Sequence, residues 1–212
     1  MSGSFLTAAG YGEAEYIDKK SRFIGHVQPV SSENEAKSFI ERIRGENADA
    51  AHNVWAYTLR AGSILRWSDD GEPGGTSGQP TLNAIRGAGL EDTVCVTTRY
   101  FGGILLGSGG LVRAYSNAAR MALEAAGVQR MCPWRLGSFE CSYAQYDKLC
   151  RFLTDRGARV ENSAFGAGVE LIFSAPDGLA EGLCRQLTDI SAGSVSPRLG
   201  EIVLRGEKAD GI

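Results

Sequence analysis

From Tyr11 to Asp18 and again from Ser21 to Val30, aromatic and β-branched residues alternate with polar ones, and the two runs meet at Lys19-Lys20. A period of two is that of a strand, so the pattern predicts a hairpin with a charged tip. The period then changes. Ala36, Phe39, Ile40 and Ile43 recur at i, i+3, i+4 and i+7 behind Ser32-x-x-Glu35, a capping box that predicts a helix closed by Gly45. Alternation returns over residues 51–60, where Trp55, Tyr57 and Leu59 share one face and His52, Val54 and Ala56 the other, and extended character resumes from Ile64 to Trp67. After a glycine-rich stretch the pattern predicts a short helix from Leu82 to Ala88, a strand from Thr93 to Arg99 and a long helix from Ser108 to Ala126, ended by Gly127.

Met131-Cys-Pro-Trp134 reads as a boundary, because a helix has just ended and a proline interrupts. Beyond it the pattern is regular. Strand character over Trp134 to Cys141 precedes the capping box Ser142-x-x-Gln145 and a helix carrying Tyr146, Leu149, Cys150 and Leu153. Strands Ala158 to Ala164 and Val169 to Ser174 follow, then a helix starting at Pro176 and a last strand from Leu199 to Arg205. The order βαββαβ is the ferredoxin-like arrangement. The chain therefore reads as an α+β protein of two domains, residues 1–130 and 134–212.

Composition narrows the class. With 43% apolar and 22% charged residues in a chain of 212, disordered and fibrous architectures are excluded. Twenty-two basic and 25 acidic residues give a net charge of −3, so no global field draws the chain to nucleic acid or to anionic lipid. Five cysteines without a C-x-x-C pair read as buried apolar residues of a reducing compartment. The first twenty residues lack a charged start followed by an apolar run, and nowhere do about 18 apolar residues run together; the expectation is a cytoplasmic protein without a membrane partner. The outlier is glycine: 11 of the 28 lie between positions 71 and 110, which localises the search for a site.

That window holds two segments able to carry chemistry. In Ser68-Asp-Asp-Gly-Glu-Pro-Gly-Gly-Thr-Ser-Gly-Gln-Pro80, the carboxylates of Asp69, Asp70 and Glu72 are hard oxygen donors of the kind that hold Mg²⁺. Alternatively, Gly74, Gly75 and Gly78 let backbone N–H groups converge into an anion-binding nest, with Thr76 and Ser77 adding donors and Gln79 following. A third reading is a tight turn whose Asp and Ser side chains cap their own backbone. The second segment runs from Thr98 to Tyr115: Arg99, Tyr100 and Phe101, a loop with Gly102, Gly103 and Gly107, then Ser108, Gly109 and Arg113 at the start of the long helix. Free N–H groups at a helix start attract anions, arginine adds charge, and the aromatics can stack on bases; they can equally pack a core. No nucleotide-binding fingerprint is matched. His52 can act as a general base only where the fold brings it against the acidic loop.

Lys20-Ser-Arg-Phe-Ile24, Ala51-His52, Asp69-Asp-Gly-Glu-Pro73 with Gly78-Gln-Pro80, and Arg99-Tyr-Phe-Gly-Gly103 through Tyr115 closely resemble the strings of the YigZ and IMPACT family. The resemblance implies an N-terminal domain similar to the second domain of ribosomal protein S5 and a C-terminal domain similar to the last domain of elongation factor G. Many members carry lysine where this chain has Leu105, so a fixed positive charge there is not essential. Eukaryotic relatives restrain a stress pathway by competing for a ribosome-associated activator of a kinase, and what carries over is an association with translation. Three classes of function follow: a translation regulator binding RNA or ribosome through Arg99, Tyr100, Arg113 and the glycine-loop amides; a Mg²⁺-dependent enzyme acting on a phosphorylated substrate at Asp69, Asp70 and Glu72; and a protein-interaction module.

Overall fold

The structure, a computed structural model, describes residues 3–208. The chain divides into two compact units whose principal segments are Phe5–Arg130 and Met131–Gly206.

In the first unit, β2 (Gly12–Asp18) and β3 (Ser21–Pro29) form the expected hairpin. Its two-residue tip places Lys19 at φ 44° and Lys20 at φ 66°, the doubly left-handed turn that matches the twist of paired strands. With β4 (His52–Leu59), β5 (Ile64–Ser68) and β6 (Thr93–Tyr100) the hairpin builds an antiparallel sheet in the order β2-β3-β6-β4-β5. Helix α1 (Glu33–Glu46) covers one face through Ala36, Phe39, Ile40 and Ile43, which pack on Tyr57, Leu59, Val94 and Val96. On the other face α2 (Gly78–Gly87) and α3 (Ser108–Ala126) pack on Val27, Ala56 and Cys95, and on Phe23 and Val54. Because both faces are covered, β6 is buried almost throughout and its sequence does not alternate. A short strand β1 (Phe5–Ala8), absent from the sequence reading, lies beside Leu90 and Thr93.

Three sequence expectations are corrected here. Helix α1 passes through Gly45 and ends at Asn47, whose backbone N–H and side-chain amide both return to the Ile43 carbonyl; a polar cap, not glycine, stops it. Helix α2 starts at Gly78 rather than near Leu82, because an acidic loop caps it from outside the local sequence. The strand expected from Trp134 begins at Val128: β7 runs over Val128–Cys141, across the point where the chain passes from one unit to the other at Met131, and Pro133 precedes the stretch that pairs with β9, which begins at Trp134. A proline is tolerated where no ladder bond needs its missing N–H.

The second unit continues with α4 (Tyr143–Thr154), β8 (Arg159–Phe165), β9 (Val169–Pro176), α5 (Asp177–Ile190) and β10 (Arg198–Lys208). Its strands stand in the order β10-β7-β9-β8, the ferredoxin-like topology expected. Ser142 and Gln145 make the reciprocal capping box at α4. Phe139, Leu171 and Phe173 pack with Leu149, Leu153, Leu183 and Leu187 of the two helices.

Helix α3 approaches the hairpin closely enough that two strand positions admit no side chain. A Cβ on Gly12 would stand 2.2 Å from the Ala126 nitrogen, and one on Gly25 2.6 Å from the Ala118 carbonyl oxygen. Overpacking of this kind costs about 1–3 kcal/mol. Gly45, by contrast, sits in α1 with open space around its missing Cβ and no left-handed φ. In denaturant unfolding, Gly25→Ala is expected to lose about 1–3 kcal/mol, whereas Gly45→Ala gains up to about 1 kcal/mol from helix propensity.

Candidate functional site

The site begins with a row across the sheet. Register pairs Phe23 of β3 with Arg99 of β6, and Arg99 with His52 of β4, so three residues far apart in sequence stand side by side on the face that α3 covers. Tyr115 of α3 meets this row, its ring edge-on to Phe23 with centroids 5.1 Å apart. The loop between β5 and α2 folds over the row and delivers Glu72.

Glu72 is the hub. Its Oε1 accepts from Arg99 Nη1 at 2.6 Å and from the Tyr115 hydroxyl at 2.7 Å, and lies 4.0 Å from His52 Nε2. Glu72 and Arg99 are only 7% and 6% exposed. The guanidinium also lies between the rings of Phe23 and Phe101, 5.5 Å from each centroid, where the aromatic faces offset part of its lost hydration. Arg99 was expected at the surface as a phosphate contact; it is instead a buried cation committed to Glu72. Burial, then the charge of Glu72, push the Tyr115 hydroxyl far above its ordinary pKa and keep it a donor. The signal in the sequence that the Tyr115 hydroxyl has polar work is an arginine, Arg99, on the strand that its helix covers.

His52 does meet the acidic loop. Its Nδ1 lies 2.7 Å from the Asp70 carbonyl, which can only accept, so Nδ1 carries the proton and Nε2 is the nitrogen turned toward Glu72.

The amides that converge in this loop are those of Gly75, Ser77 and Gly78, and the anion among them is the loop's own Asp69, so the turn whose Asp caps its own backbone is the reading the structure matches. Asp69 Oδ2 accepts from the Gly75 N–H at 2.9 Å. Its Oδ1 accepts from Ser77 N at 3.1 Å, Gly78 N at 2.8 Å and Ser77 Oγ at 2.7 Å. Two of those N–H groups open α2, which is why that helix starts four residues early. Pro80 fits its first turn, where no N–H is required. Thr76 turns its hydroxyl to the Pro73 carbonyl, and Gln79 bonds Asn83 one turn on.

Asp70 faces elsewhere, pairing with Arg44 Nη2 at 2.7 Å and accepting the Asn53 N–H at 2.7 Å. The three carboxylates proposed as Mg²⁺ ligands thus have three separate sets of partners: amides, an arginine with a backbone N–H, and a buried arginine with a phenol. Among the described residues no three His, Cys, Asp or Glu side chains group to hold a metal ion. The donor set does not fit a shared cation.

The second glycine-rich segment is more open. Gly102 touches the hairpin tip, where a Cβ would stand 2.1 Å from the Lys20 carbonyl carbon, and its N–H bonds Ser21 Oγ. Tyr100 packs under Arg22 and donates to Asn47 Oδ1. Phe101 is 51% exposed and Leu105 82%, with Gly103, Ile104, Gly107, Ser108, Gly109 and Arg113 also at the surface. Gly107, at φ 72°, precedes α3 with no side-chain cap.

A family model described as the Impact N-terminal domain matches residues 19–123, and a domain of unknown function, DUF1949, matches residues 139–194. The IMPACT family member YigZ of Escherichia coli is 37% identical over 198 residues, 92% of this chain and 97% of that protein. The chain belongs to the IMPACT family. Its membership reaches eukaryotes: the Protein IMPACT homolog of Dictyostelium discoideum is 36% identical over 102 residues, 46% of this chain and 29% of that protein. A crystal structure described only as that of a hypothetical protein shares the fold with TM-score 0.62 at 35% identity, over 95% of this chain and 98% of its own. No helix among the described residues is long and apolar enough to cross a membrane.

Burial pushes the Asp69 carboxyl up, and the bonds from Gly75, Ser77 and Gly78 outweigh that and hold it below the ordinary value. A depressed carboxyl contributes stability above its unfolded pKa of about 4. That contribution fades as the pH falls through the lower folded value. Stability measured from pH 6 to pH 2 should therefore fall less steeply in Asp69→Asn than in the parent protein. Arg99→Met, which leaves Glu72 buried without its cation, is expected to cost about 3–5 kcal/mol in denaturant unfolding, and the double change Glu72→Gln with Arg99→Met to recover a large part of it.

Proposed function

We propose that this IMPACT family protein is a cytoplasmic binding protein of the translation apparatus that contacts RNA, free or in the ribosome, through the loop from Tyr100 to Arg113. The observation that carries the reading is Phe101, an aromatic ring half exposed on a loop that leads into an uncapped helix start. A ring so placed offers a stacking platform, and the N–H groups of Ser108 and Gly109 offer a phosphate donors and the positive end of a helix dipole. With Arg99 withdrawn into the interior, cations on this side include Arg113 on α3, Lys19 and Lys20, whose hairpin tip lies against Gly102, and Arg22 over Tyr100, which is paired with Glu15. A few cations on a chain of net charge −3 make a local footprint, and they call for a contact of modest strength that depends on salt.

A specific observation supports a second reading. Leu105, with Ile104 44% exposed on the same loop, is better matched to an apolar protein surface than to a phosphate backbone, and a ribosomal protein or a factor bound to the ribosome would supply one.

The two readings separate in a binding measurement with single-stranded RNA and with ribosomes at several salt concentrations. The RNA reading expects the logarithm of affinity to fall linearly with that of salt, and Arg113→Ala or Lys20→Ala to reduce the slope by about one each. Phe101→Ala should weaken single-stranded RNA by roughly 1–3 kcal/mol. Ribosome binding that ignores salt and is lost in Leu105→Asp would favour the protein partner, and absence of both interactions would overturn the proposal.

A further inference from the structure

The N-terminal sheet has two outer strands, β2 and β5, and they are guarded differently. A free edge exposes unpaired N–H and C=O groups that invite another strand, and charges along it discourage that. Strand β2 carries Glu13 and Glu15, both exposed, and Asp18, with Glu15 tied to Arg22 at 2.5 Å. Strand β5 reads Ile64-Leu-Arg-Trp-Ser68, with no acidic residue, no proline and an unbroken register against β4 from Trp55↔Ser68 to Leu59↔Ile64.

What β5 displays is specific. Leu65 and Trp67, 37% and 45% exposed, share the face of the sheet on which Gly78 of α2 abuts Trp67. Arg66 points to the opposite face, 60% exposed and 4.0 Å from the Glu33 carboxylate, and donates to the Leu65 carbonyl at 3.1 Å, a bond that water or an incoming strand can replace. A strand laid along this edge sets a residue opposite Arg66 on the face of that cation, and its two neighbours on the face of Leu65 and Trp67.

We infer that the free edge of β5 is a docking site for an extended peptide segment of the pattern apolar–acidic–apolar, which adds a sixth strand to the N-terminal sheet. Main-chain bonds supply the affinity and alternate side chains the selectivity, as in other strand additions. The occupant is a foreign segment rather than a second copy of β5, because antiparallel self-pairing about the middle of β5 would set Arg66 against Arg66 and oppose like charges. This site is separate from the loop assigned to RNA, and neither reading depends on the other.

The full chain, with two synthetic peptides as probes, tests this. Thr-Thr-Val-Glu-Val-Thr-Thr carries the pattern, and Thr-Thr-Val-Lys-Val-Thr-Thr reverses the central charge. Amide hydrogen exchange followed by NMR should slow at the outward-facing amides of β5 on adding the glutamate peptide. That peptide should bind at least about three-fold tighter than the lysine peptide. Arg66→Gln should abolish the preference and Arg66→Glu should invert it; as both substitutions lie at an exposed position, a thermal melt confirms that each variant is folded. Exchange at β5 unaltered by either peptide, a preference that survives both substitutions, or slowing produced by raising the protein concentration alone would overturn the proposal, the last by assigning the edge to a second copy.

Discussion

The buried contact between Arg99 and Glu72 is the constraint on which the N-terminal unit is arranged. A cation on the central strand of a sheet covered on both faces has no water to turn to. It is kept there by a carboxylate brought in by a loop and by two aromatic rings. Once Glu72 is fixed, the rest of its loop has little freedom. Asp69 falls where the amides of Gly75, Ser77 and Gly78 converge, Asp70 meets Arg44 and the Asn53 N–H, and His52 is held by the Asp70 carbonyl. Each carboxylate of the loop has its own bonded partners, and buried bonds of this kind favour one arrangement of the loop. The carboxylates therefore act on the protein itself: one caps a helix, one braces α1, and one neutralises the core arginine.

Much of this architecture could be read in the sequence, and the failures share one cause. The hairpin, both capping-box helices, the long α3 and the βαββαβ order were legible because each is a local signal, a period or a cap within a few residues. The start of α2 was not, because its cap comes from Asp69, nine residues before Gly78. The burial of Arg99 was not, because an arginine after a run of apolar residues reads as a strand end. Only the register linking Phe23, Arg99 and His52, which no local window contains, places it inside. Of the three readings of the acidic loop, the turn whose Asp side chain caps its own backbone matches the bonds that Asp69 accepts from Gly75, Ser77 and Gly78.

The glycine excess divides along the same line. Gly75 supplies an amide to the Asp69 nest, and Gly102 allows the β6–α3 loop to touch the hairpin tip, whereas Gly12 and Gly25 lie in strands and let an alanine-rich helix approach the sheet. A composition count alone could not tell close packing from a ligand loop. With the acidic loop occupied by its own carboxylates, the second loop, with Phe101, Leu105 and the start of α3, and the edge of β5 are open to solvent.

That division of labour between the two loops is the central claim, and an NMR titration of the full chain with single-stranded RNA tests it most directly. The account predicts amide shift changes over residues 101–113 and at Lys19 and Lys20, while Gly75, Ser77 and Gly78 keep their positions because Asp69 fills the nest throughout. Changes centred on Asp69 to Gly78, with residues 101–113 undisturbed, would contradict it.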